Sequence, residues 1–161
     1  MIEPVEITDA SGVVDALRAR GLTIAVAESL TGGLLVAELV SVPGASAVVR
    51  GGVVAYATEL KATLLGVDAD LLAASGPIHP DVARAMADGV RRRLGADVGV
   101  ATTGAAGPDP QDGHAAGEVW LGFAVGDAVT AVGLALGGDR AAIRRDTVSE
   151  SLSRLRDLLQ E

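Results

Sequence analysis

The sequence contains no cysteine, and among its 161 residues Trp, Tyr and Phe occur once each. The first absence excludes disulfides, thiolate metal sites and a thiol nucleophile together, and it fits a reducing compartment. The second means that the core is assembled from Val, Leu, Ile and Ala, a composition suited to a buried parallel sheet flanked by Ala-rich helices. Positive charge is also in deficit. The formal net charge is −8, and a field of that sign repels phosphate backbones, so no nucleic-acid partner is expected. A small anionic substrate stays compatible, because a few local donors outweigh a screened distant field. The only histidines are His79 and His114, each beside Pro or Gly. No H-E-x-x-H or related ligand spacing occurs, so no metal site is expected. Hydrophobic residues make up 49% of the chain and the mean hydropathy is +0.40, yet no run approaches the ~18 uninterrupted apolar residues of a membrane span. The acidic start MIEPVEITDA resembles neither a signal nor a transit peptide. A soluble, cytoplasmic protein without a membrane partner is expected.

What is present is an alternation of apolar β-branched runs and helical patterns, in a length that fits one domain over residues 1–161. After an acidic lead, Asp9 or Ser11 caps a first helix that runs to Arg20 and ends at Gly21. LTIAVAE (22–28) reads as a buried strand, followed by SLTGG and a helix closed by Pro43-Gly44. GGVVAY (51–56) reads as a second strand, and Thr58 caps a short helix over 59–66, with another near 68–74. Pro80-Asp81 opens a long amphipathic helix to about Leu94, and VGVATT (98–103) forms a third strand. Residues 104–117 make a Gly/Pro-rich loop, longer than ordinary connections. EVWLGFAV (118–125) and AVTAVGLAL (128–136) form a hairpin, so the sheet is mixed. Asp139 caps a last helix to Leu159. The fold expected is α/β.

Four segments at strand ends or helix starts can carry chemistry, where ligands gather in open α/β sheets. In AESLTGG, backbone N–H groups at a helix start can hold an anion or an oxyanion beside Ser29, with Thr31, Gly32 and Gly33 in the turn. The same residues also read as an ordinary cap and turn. In YATELK, a Thr58 cap puts Lys61 at the third helical position, where the helix dipole lowers an amine's pKa. Such a neutral amine can take a proton from serine, but a lysine projecting into water fits the pattern as well. TTGAAGP is neither a Walker loop nor a dinucleotide fingerprint; it is either a plain turn or a cradle for one phosphate. GGDR brings Arg140, with Arg144 and Arg145 a turn later, as an anion clamp or as solvated surface arginines.

Taken together, AESLTGG, GGVVAYATELK with LLGV, TTGAAGP, GEVW and GGDR resemble, in order, the C-terminal domain of the competence/damage-inducible CinA proteins, the family that includes nicotinamide-nucleotide amidase. The resemblance spans about residues 8–160 and implies a three-layer α/β/α sandwich with a mixed, mostly parallel sheet. It implies hydrolysis of nicotinamide mononucleotide to nicotinate mononucleotide and ammonia, with no metal or cofactor, by a homodimer or higher homo-oligomer. Carried onto matching positions, Ser29 is the nucleophile, Lys61 its base and Tyr56 a hydroxyl partner. Thr31, Gly32, Gly33, Thr103, Gly104, Ala106, Gly107 and Arg140 then line the substrate pocket. Four positions depart from the family pattern: Leu30 stands for Cys, Thr58 for Asn, His79 for Ser and Glu118 for Thr. The competing reading is a non-catalytic nucleotide- or partner-binding module serving competence or damage response.

Overall fold

The computed structural model describes residues 8–161; the acidic lead lies outside the described residues. Among these residues five strands form one sheet: β1 (Ile24–Glu28), β2 (Val49–Val54), β3 (Val98–Gly104), β4 (Glu118–Val125) and β5 (Ala128–Ala135), in the order β2-β1-β3-β4-β5. β1 pairs in parallel with β2 and β3, while β4 is antiparallel to both β3 and β5. The sheet is mixed, as the hairpin pattern requires, and the fold is α/β.

Among the described residues six α-helices cover the two faces: α1 (Thr8–Arg20), α2 (Leu34–Val40), α3 (Thr58–Leu65), α4 (Ala69–Ser75), α5 (Pro80–Arg93) and α6 (Arg140–Leu159). Alternation along the central strands splits the apolar residues between the faces. Ile24, Val26, Val98 and Val100 pack with α1, α2 and α6. Ala25, Ala27 and Ala101 pack with α3, α4 and α5. The second face carries small residues because α5 presses its backbone onto the sheet. A Cβ at Gly99 would lie 2.1 Å from the Ala87 carbonyl oxygen, and one at Gly122 would lie 2.0 Å from that of Ala83.

The boundaries differ from expectation at informative places. α1 begins at Thr8, so Asp9 and Ser11 lie inside it, and Asp9 pairs with Arg156 of α6. β2 spans Val49–Val54 and not 51–56, because parallel pairing with β1 sets its register and stops where Glu28 faces Val54. Ala57, not Thr58, is the cap of α3, with extended backbone and no side-chain hydrogen bond. His79 caps α5 through its ring nitrogen, which accepts from Asp81 N–H at 3.1 Å. Asp139 caps α6, accepting from Ala142 N–H at 2.8 Å. No helix of the described residues is long and apolar enough to cross a membrane.

The close approach of α5 makes a direct test. Gly122→Ala should lower the unfolding free energy by about 1–3 kcal/mol through overpacking. Gly137→Ala, where a Cβ meets nothing within 4 Å, should stay within about 0.5 kcal/mol of wild type. Urea denaturation midpoints measure both.

Candidate active site

The parallel strands β1, β2 and β3 all end at one rim of the sheet, and the residues leaving them build the site. β1 ends at Glu28, and the chain makes two consecutive tight turns before α2. Gly32 N–H donates to the Ser29 carbonyl at 3.1 Å, and Leu34 N–H donates to the Thr31 carbonyl at 3.0 Å. The second turn needs left-handed backbone at both central positions, the type I′ geometry. Gly32 and Gly33 supply it, with φ of 58° and 108°. The paired glycines are thus demanded by the turn itself. Neither Ser29 nor Thr31 caps α2; Gly33 holds the cap position without a side-chain bond.

The capping is done by Glu28. Its carboxylate, 1% exposed, accepts Leu35 N–H at 2.8 Å and Val36 N–H at 3.1 Å. A carboxylate suits the positive end of a helix, and here it occupies donors that a bound anion would otherwise find. Sequence reasoning missed this residue. The available signal was an acid closing an otherwise apolar strand, IAVAE, just before a helix.

Ser29 and Lys61 meet on the α3/α5 face. Lys61 Nζ lies 3.0 Å from Ser29 Oγ, 2.8 Å from the Ala55 carbonyl oxygen and 3.4 Å from that of Tyr56. As an ammonium, Lys61 donates to all three. As an amine it keeps two N–H bonds for the carbonyls and turns its lone pair to the hydroxyl, which then becomes the donor. Lys61 is the chain's only lysine, and only 1% of it is exposed. Burial lowers its pKa from 10.5 to about 8, against the opposing pull of Asp112 and then Glu59. The cause therefore differs from the helix-dipole expectation. With Ala57 as cap, Lys61 stands at the fourth helical position, not the third, and desolvation dominates. Ser29 N–H is anchored on the Thr102 carbonyl at 3.0 Å, and Thr102 Oγ1 meets Thr31 Oγ1 at 2.9 Å. β1 and β3 thus hold the serine turn from below.

The remaining expected residues fall into two groups. Tyr56 is exposed, and its hydroxyl accepts from Arg140 Nη2 at 3.2 Å. Only its backbone carbonyl touches Lys61, so among the described residues no hydrogen bond links its hydroxyl to Ser29 or Lys61. Arg140 Nη1 also donates to the Gly107 carbonyl at 2.7 Å, tying the long loop to the end of β2. Thr103, Gly104, Ala106 and Gly107, expected to line a pocket, are buried. Thr103 Oγ1 donates to the Pro77 carbonyl at 2.7 Å, the Ala106 side chain packs in the core, and Gly104 lies against β4. Their hold on a ligand would have to come from backbone atoms. Farther along the loop, Gln111 and His114 exchange backbone bonds around Asp112, and His114 Nδ1 lies 2.8 Å from Glu118 Oε1. Among the described residues no cluster of three His, Asp or Glu side chains is arranged for a metal ion. A cavity of about 910 Å³ lies at the opposite rim, lined by Arg91, Asp97 and Gly126 among others. Neither Ser29 nor Lys61 lines it.

Comparison with known proteins places this geometry in context. The family model for the CinA C-terminal domain matches residues 7–159. A CinA-like protein of Frankia casuarinae is 51% identical over 147 residues, covering 91% of this chain and 34% of the relative. One of Gemmatimonas aurantiaca is 48% identical over 140 residues, covering 85% and 32%. The chain thus spans about a third of the length of these curated relatives. Among solved structures, the competence/damage inducible protein CihA of Agrobacterium tumefaciens matches with a TM-score of 0.92 at 32% identity, covering 100% of this chain and 99% of that one. The competence damage-inducible protein A of Klebsiella pneumoniae matches with 0.93 at 31%, covering 96% and 97%.

A single lysine permits an unambiguous titration. In protein labelled with ¹³C-lysine, the one side-chain signal should titrate near pH 8 and not near 10.5. The unfolded chain keeps this proton up to about 10.5, so it binds more protons than the folded protein between those values. Lys61 therefore costs stability below about pH 8, and the cost fades as pH rises to 10.5. Measured by denaturant titration, wild type should gain on Lys61→Met across that window.

Proposed function

The chain belongs to the CinA C-terminal domain family, and on that premise we propose that it is an amidohydrolase acting on nicotinamide mononucleotide, releasing ammonia and nicotinate mononucleotide. The observation that carries the reading is the 3.0 Å contact between Ser29 Oγ and the buried amine of Lys61. A serine hydroxyl is a weak nucleophile until a base takes its proton. An amine with a pKa lowered to about 8 is deprotonated in a useful fraction near neutrality.

In this reaction Ser29 Oγ attacks the carboxamide carbon while Lys61 accepts its proton. Unengaged N–H groups of the 29–33 turn receive the oxyanion; losing one such donor typically lowers the rate by about 10²–10³. Lys61 returns the proton to the leaving nitrogen, the C–N bond breaks, and ammonia departs from an acyl-Ser29 ester. Water, giving one proton to Lys61, then attacks that ester. Lys61 passes the proton to Ser29 Oγ as the acyl C–O bond breaks, and the freed acid loses its remaining proton to solvent as the carboxylate. The substrate's phosphate is assigned to Arg140, whose guanidinium has donors beyond the two it uses, and to backbone groups of residues 104–107. Binding that remote anion orients the carboxamide. Ser29 is only 7% exposed, so entry must displace what covers it, and Arg140 stands where the long loop and the β2 end are joined. The same reading includes a homo-oligomer, which the exposed Val40, Val54 and Leu64 would favour.

Ammonia release from nicotinamide mononucleotide tests the proposal with purified protein. Ser29→Ala should lose about 10³ or more of the rate with its thermal midpoint kept, and Lys61→Met should lose the rate to the same extent. Lys61→Arg should not restore turnover, because a guanidinium stays protonated. Nicotinamide itself should be a poor substrate, lacking the phosphate. Binding of the nucleotide without ammonia release would replace this reading with a non-catalytic binding module.

A further inference from the structure

A tight turn can carry its central peptide in two orientations, related by a flip of roughly 180° that separates type I from type II. In the turn Ser29–Gly32 that central peptide joins Leu30 to Thr31. Arg144, on α6, grips it. Arg144 Nε donates to the Leu30 carbonyl at 2.9 Å and Nη2 to the Thr31 carbonyl at 3.2 Å. The guanidinium lies against the turn, since a Cβ at Gly32 would meet Nη2 at 3.4 Å.

A peptide unit is planar and trans, so its N–H points opposite to its C=O. α6 packs on the face of Val26 and Val100, whereas Lys61 reaches Ser29 from the other face. With the Leu30 carbonyl drawn toward α6, the Thr31 N–H is directed away from it, toward the side where Ser29 Oγ meets Lys61. Thr31 is fully buried, and its N–H has no hydrogen-bond partner among the described residues. Orphan buried donors are rare and call for an explanation. Gly32 N–H is engaged on the Ser29 carbonyl, and Leu35 and Val36 N–H on Glu28. Leu30 and Gly33 N–H are also unpaired among the described residues, but the Thr31 N–H is the one in the peptide that Arg144 holds.

We propose that Arg144 is a positioning residue, which holds the Leu30–Thr31 peptide so that the Thr31 N–H receives the oxyanion formed when Ser29 is the nucleophile. The inference rests on Ser29 as nucleophile but not on which amide is hydrolysed. Thr31 already resists the full flip, because type II requires positive φ at its position. Arg144 supplies the remaining hold on the tilt of the plane. Its planar fork spans two carbonyls, which one ammonium cannot reproduce.

A fluorophosphonate probe tests this without the native substrate. Its phosphorus bonds to Ser29 Oγ, the P–F bond breaks, fluoride leaves, and the serine proton passes to Lys61. The phosphoryl oxygen needs the same donor. Arg144→Met should slow the second-order labelling rate about 10–100-fold, while the pH midpoint of that rate, set by Lys61, and the thermal midpoint hold. Arg144→Lys should recover part of the rate. Labelling of Arg144→Met at the wild-type rate overturns the proposal, as does a loss matched by its unfolded fraction or one accompanied by a shifted pH midpoint. If Arg144→Met does not fold, Arg144→Lys decides: wild-type labelling overturns the inference, and slower labelling at an unchanged pH midpoint and circular dichroism spectrum supports it. A wild-type protein that the probe does not label at Ser29 would overturn the nucleophile, and the role of Arg144 with it.

Discussion

An ammonium taken out of water costs several kcal/mol unless acceptors replace its hydration, and this protein buries its only lysine. Three oxygens meet it: the carbonyls of Ala55 and Tyr56 and the hydroxyl of Ser29. Two of them are backbone groups freed where β2 leaves the sheet, so the position of Lys61 depends on where that strand stops. The third belongs to the residue that follows β1. One side chain on α3 therefore ties together the ends of two adjacent strands. Desolvation keeps its pKa near 8, so the acceptors offset only part of the cost of burying the charge. The contact constrains both the architecture of the rim and the chemistry available there.

Around the serine turn, charge is arranged on two sides. Glu28 accepts the first N–H groups of α2, and Arg144 donates to the carbonyls of Leu30 and Thr31. Opposite groups of the same short backbone segment are thereby satisfied by opposite side-chain charges. A helix start preceded by Gly-Gly would ordinarily be an open anion site; here the protein's own carboxylate fills it. An external anion must look elsewhere along the rim, which directs attention to Arg140. That guanidinium joins the Gly107 carbonyl to the Tyr56 hydroxyl and so stands at the seam between loop and strand end.

Much of the fold was legible because its signals are local. Apolar β-branched runs, the glycine and proline breaks, and Asp139 at the start of α6 each act within a few residues. The hairpin of β4 and β5 could be read from two runs joined at Gly126-Asp127. Local logic failed where a partner far along the chain decides the outcome. β2 ends two residues early because β1 sets its register. α3 starts at Thr58 without a side-chain cap because the chain leaving β2 already has the extended backbone at Ala57. At the site, the nearness of Ser29 and Lys61 came into view through family resemblance, not through spacing. The burial of Thr103 and Ala106 could not be read, because a Gly-rich loop looks the same in sequence whether it opens to solvent or packs inward.

From the sequence alone follow the order of elements, the aliphatic core, the mixed sheet and a turn at Gly32-Gly33, since periodicity and allowed φ are properties of neighbouring residues. Only the folded chain decides that Lys61 is desolvated, that Glu28 occupies the start of α2, that Tyr56 turns its hydroxyl to Arg140, and that Arg144 grips the serine turn. Each of those depends on groups from 7 to 114 positions apart brought together by sheet order and helix packing. Burial, and with it the strength of every charge, does not exist until those layers close.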